Sequence, residues 1–128
     1  MGYLHQPFLI STMAYRKGRF DRFIEGKKQG YIEQGNPEII IAVTILEDAE
    51  IGGYEYDKAK IPDFSKKEDI LKQVEEKSIS KIEEMKSYSS RQKAKLRAIF
   101  ERLRTDETFY NIVVKEYEEF LNSFFEVV

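Results

Sequence analysis

Residues 38–46 read EIIIAVTIL, and the fold turns on how they are read. As a strand, Ile39, Ile41, Val43 and Ile45 point one way, and Ile40, Ala42, Thr44 and Leu46 point the other. Both faces are then mostly apolar, the mark of a central strand covered on two sides. A layer of helices supplies one cover. A second copy of the chain is the expected source of the other, which gives a homodimer.

Working outward from that strand, the N-terminal half reads as a small antiparallel sheet. FLISTMAY at 8–15 alternates, Arg16-Lys17-Gly18 is a turn, RFDRFIE at 19–25 follows, and QGNP at 34–37 is a breaker. Glu47-Asp48 then turns the chain into a partner strand, EIGGYEY at 50–56. A competing reading exists. Met13, Phe20, Phe23, Ile24 and Tyr31 also recur at helical spacing, so 12–34 can be drawn as one helix. Three internal glycines, Gly18, Gly26 and Gly30, weigh against it at roughly 1 kcal/mol each.

The C-terminal half differs in texture. All seven Gly lie within the first 53 residues, and no Pro follows Pro62, so 63–128 is free of helix breakers. Ser65-Lys66-Lys67-Glu68 has the form of a capping box, ahead of an apolar stripe of Ile70, Leu71, Val74, Ile82 and Met85. Ser87-Tyr88-Ser89-Ser90 reads as a break, and a second helix covers 91–104. Thr105-Asp106-Glu107 supplies capping oxygens for a third. In that last helix Phe109, Tyr110, Val113, Val114, Tyr117, Phe120, Leu121, Phe124 and Phe125 fall within an arc of about 160°. The expected fold is therefore α+β in one domain over 1–128. A sheet-rich half, 1–60, packs on a helical half, 61–128.

Charge is unevenly placed around a net −2. Residues 1–30 hold six cations and two acids, and residues 31–60 hold two cations and seven acids. Within SSRQKAKLRAIFERLR, residues 89–104, six cations accompany a single acid. On a helical wheel Arg91, Lys95 and Arg102 border one side of the Leu96, Ile99, Phe100, Leu103 seam, and Lys93, Arg97 and Arg104 border the other. One stripe is expected to lie against the acidic last helix. The other is left for a partner. A second basic cluster, Arg16, Lys17, Arg19 and Arg22 with Lys27 and Lys28, is interleaved with Tyr15, Phe20 and Phe23. Cations between aromatics suit single-stranded nucleic acid, and equally an ordinary hairpin with its aromatics inside.

The chemistry of catalysis is thinly represented. There is no Cys, so no disulfide or thiolate nucleophile. His5 is the sole histidine, and no GxSxG, GxGxxG or GxxxxGK[ST] pattern occurs. No signal-like or membrane-spanning segment is visible, and a cytoplasmic setting is expected. The leading expectation is a non-catalytic interaction protein, an inhibitor or adaptor, that needs no cofactor and binds a macromolecular partner through the twelve basic residues just named. The alternative is a nucleic-acid-binding accessory protein using 16–28 and 91–104. A third is a binder of small phosphorylated ligands or nucleotides, or a metal-dependent nuclease that adds the acidic segment 47–57.

Overall fold

EIIIAVTIL is a helix. The computed structural model describes the backbone over residues 5–51 and 61–126 and the side chains over 14–51 and 61–124. Six α-helices follow in order: α1 (His5–Glu33), α2 (Glu38–Asp48), α3 (Lys67–Val74), α4 (Ser80–Glu84), α5 (Ser90–Thr105) and α6 (Glu107–Glu126). A π-helical turn, Glu75–Ile79, joins α3 directly to α4. No strand occurs among the described residues, so the expected α+β class is corrected to all-helical.

The reason lies in what α2 buries. Ile39, Ala42, Val43, Ile45 and Leu46 are buried, a pattern of period 3.6, while Ile40, Ile41 and Thr44 are half-buried. An apolar run of this length fits a buried strand and a buried helix equally well by period. Pro37 in helical conformation and Glu38 in the first turn start the helix. Thr44 closes its hydroxyl onto the Ile40 carbonyl at 2.9 Å, the i−4 bond that a helix offers. α2 packs against α1, α5, α6 and the π turn of its own chain. The cover sought from a second subunit thus comes largely from within, and the argument for a homodimer loses its premise.

α1 overturns the hairpin expected over 8–33. Its inward stripe sets Phe20 edge-on to Phe120 at 5.1 Å and Phe23 against the same ring at 5.5 Å. The helix ends at Gly35, φ +73°, where Gly35 N–H donates to Ile32 at 3.0 Å and Asn36 N–H to Tyr31 at 2.8 Å. That pair of bonds is a Schellman motif, and it needs glycine's freedom at positive φ. After α2 the turn falls at Ala49–Ile51 rather than Glu47-Asp48, with Glu50 at φ +57°. The rest of the expected strand EIGGYEY lies outside the described residues.

The C-terminal half largely follows expectation. Ser89 caps α5 in a reciprocal box with Gln92. Asp106 Oδ1 accepts from the Phe109 amide at 3.0 Å at the start of α6. Phe109, Tyr110, Val113, Val114, Tyr117, Phe120, Leu121 and Phe124 are all buried. The expected box at Ser65–Glu68 does not form. Ser65 Oγ donates instead to Asp63 Oδ1 at 2.6 Å, and α3 starts without a side-chain cap.

Candidate interaction surfaces

The six cations of α5 divide by use. Arg97 reaches back to the helix pair before it, 2.7 Å from Glu75 and 2.5 Å from Glu83, and lies over the Phe100 ring. These carboxylates raise its already high pKa. Arg102 bonds Glu38 of α2 at 2.7 Å and covers Phe109 at 4.0 Å. Each stripe therefore gives one arginine to an interhelical clamp. The acids used are Glu38, Glu75 and Glu83, and from the acidic last helix only its capping Asp106 takes part, 3.5 Å from Arg102. Arg104 pairs locally with Glu101. Lys93 is half-buried and its charge reaches Glu83. Arg91 and Lys95 remain exposed, with no ion pair among the described residues.

Arg16 is the displaced member of the other cluster. It is 0% exposed. Its Nε and Nη2 donate to Glu47 at 2.9 and 2.6 Å, and the Tyr117 hydroxyl donates to the same carboxylate at 2.8 Å. The guanidinium also lies 5.4 Å from the Phe124 ring centre and 5.9 Å from that of Phe120. This is a core ion pair tying α1 to α2 and α6. Lys27 sits against Glu119 and Glu116 of α6 at 3.1 and 3.5 Å; burial opposes its charge, and the two carboxylates outweigh it and raise its pKa. Arg19 bonds Tyr15 and Ser123. Lys17, Arg22 and Lys28 are exposed. Phe20 is buried and Phe23 is packed on the core, so two of the three aromatics of the expected base-stacking platform face inward, while Tyr15 stays exposed with Arg19 over its ring at 5.5 Å.

Charges of the wrong sign at helix ends recur, as in the last turns of α1 and α6, which hold Glu33 and Glu126 and no base, and two further ends border the exposed charges. The first turn of α5 holds Arg91 and Lys93 and no acid, at the positive end of its dipole. The last turn of α2 holds Glu47 and Asp48 and no base, at the negative end. The second of these borders a groove of about 520 Å³ between α1 and α2, lined among the described residues by Ala14, Lys17, Phe20, Asp21, Thr44, Glu47 and Asp48. Asp48 is exposed at its surface, yet the protein crowded around its carboxyl, and after that the neighbouring Glu47, push it up to about 6, only partly offset by Lys17. A second groove, about 460 Å³, runs between α1 and α6 past Gly26, Gly30 and Tyr31.

Among the described residues no group of three His, Asp or Glu side chains is placed to hold a metal ion. His5 and the 52–57 part of the expected acidic segment lie outside the described side chains. No helix among the described residues is long and apolar enough to cross a membrane. No family model, no curated protein and no solved structure matches this chain.

Sequence reasoning missed the acids rather than the bases. Glu75 and Glu83 lie in a charged stretch with no pattern to mark them as partners of Arg97, and Glu47 was expected in a turn. One signal was present: on a helical α1, Arg16 lies 40° from Phe20, inside the apolar arc, which marks it as a core residue.

Proposed function

We propose that this chain is a non-catalytic helical interaction module that binds a protein partner through a surface of mixed charge. The observation that carries this reading is the division of the cations. The fold uses Arg16, Lys27, Arg97 and Arg102 in contacts between helices and leaves Arg91 and Lys95 on α5, with Arg22 and Lys28 on α1, exposed and unpaired among the described residues. Cations held at the positive end of a helix cost about 0.3–1 kcal/mol each. Local rules of this kind are most often broken where a site has work to do. An acidic surface on the partner would repay that cost.

Two features favour protein over nucleic acid. Phe20 is in the core and Phe23 is packed on it, so neither is presented to a base. The larger groove carries three carboxylates and one lysine, which repels a phosphate chain. The test is capture from native lysate with the chain as bait, with and without nuclease, over rising salt. Capture should survive nuclease and fall by less than about tenfold between roughly 50 and 200 mM salt. A surface tracking six to ten phosphates would lose about 10³–10⁵ over that range. Loss of the captured partner on nuclease treatment would establish the nucleic-acid reading instead.

A further inference from the structure

We propose that the groove between α1 and α2 is a seat for a basic side chain, a lysine or arginine presented by the protein partner. The inference rests on the interaction reading above and names the chemistry of one contact. Ala14, Phe20 and the Thr44 methyl give the groove an apolar wall, suited to an aliphatic stem. Asp21 comes from α1 and Asp48 from α2, so the carboxylates stand on opposite walls. Glu47 is engaged from inside by Arg16 and Tyr117. Among the described residues Asp48 makes no hydrogen bond or ion pair, and Lys17 is the one cation that lines the groove.

Two features then ask for the same charge. The carboxylates outnumber the lysine. The last turn of α2 lacks any base, and its free carbonyl end favours a cation. The raised Asp48 carboxyl follows from the protein crowded around it first and from the neighbouring Glu47 second. A guanidinium or ammonium between Asp21 and Asp48 satisfies both, with its stem along Phe20. A volume of about 520 Å³ is ample for one long side chain.

The test needs no identified partner. Acetyl-arginine-amide and acetyl-lysine-amide are titrated into the full chain, with acetyl-norleucine-amide and acetyl-glutamate-amide as controls, and amide shifts are followed by NMR. Both basic probes should bind with dissociation constants of roughly 1–10 mM, as befits a single side chain. Shifts should centre on Lys17, Asp21, Thr44 and Asp48. Asp48→Asn and Asp21→Asn should each weaken the basic probes about tenfold, the size of one charge-assisted contact. Lys17→Gln should strengthen them. Protonation of Asp48 removes its charge as pH falls through about 6, so binding should be weaker at pH 5 than at pH 7.5. Lys17, Asp21 and Glu47 are the charged groups that face it in the groove.

Equal shifts from norleucine and arginine, or no shift at high millimolar probe, would overturn the seat and leave the interaction reading to its own capture test. Binding that appears only after Lys58→Gln and Lys60→Gln would assign the groove to the chain's own segment and equally overturn the proposal. If capture from lysate fails while the basic probes bind as described, the groove stands and the partner reading falls.

Discussion

A guanidinium with no exposed surface must recover its lost hydration from fixed partners, and Arg16 does so through Glu47 and Tyr117. Breaking such a pair from one side leaves the other charge buried alone. Arg16→Met should therefore destabilise the fold by about 3–5 kcal/mol. Glu47→Leu alone should do similar harm. The double variant Arg16→Met/Glu47→Leu should recover most of the loss, because an apolar pair of similar volume needs no ion partner. Urea unfolding of the three variants measures this coupling. A double variant no better than the worse single one would show that Arg16 is held mainly by groups other than Glu47. At this scale the sequence was readable only once the element was known. Under a strand reading Arg16 sits in a turn and faces water; under a helical reading it shares a stripe with Phe20, Phe23 and Tyr31.

Among the elements, α1 is the one held against its own propensity. Gly18, Gly26 and Gly30 lie within it, and a Cβ at any of them meets open space. None is at positive φ, so no backbone constraint requires glycine there. Each Gly→Ala change should add about 0.5–1 kcal/mol, and the triple variant should melt several degrees higher. A triple variant that melts lower than the parent would mean that the helical α1 is misplaced. The same glycines explain why this helix was hard to see. Their summed cost, roughly 3 kcal/mol, favoured a hairpin on local grounds, and contacts such as Phe20 on Phe120 outweighed it. α2 was misread for a different reason. A run apolar on every side has no period to report, and its β-branched residues favour a strand wherever packing does not decide. α5 and α6 were legible because each has a polar face, and because Ser89 and Asp106 mark their starts with side chains that cap. The π turn over Glu75–Ile79 left no sequence signature that period could detect.

For the molecule as a whole, the core is one continuous cluster running from Phe20 through α2 to Phe124. Since α2 finds its cover inside the chain, sedimentation of the free protein should return the monomer mass of 15.1 kDa. A stable dimer at low micromolar concentration would mean that the outer faces of α1 or α5 associate with themselves. The central claim concerns the use of charge: some cations hold helices together and others are kept for a partner. A matched pair of variants tests it most directly, read by melting temperature and by capture of the native partner. Arg97→Gln/Arg102→Gln removes the clamps to Glu75, Glu83 and Glu38. It should lower stability by up to about 1 kcal/mol for each half-exposed pair lost, and should retain capture while the protein stays folded. Arg91→Gln/Lys95→Gln should leave melting nearly unchanged, or raise it slightly by relieving the α5 dipole, and should weaken capture at least tenfold. Undiminished capture by the Arg91→Gln/Lys95→Gln variant would contradict the account.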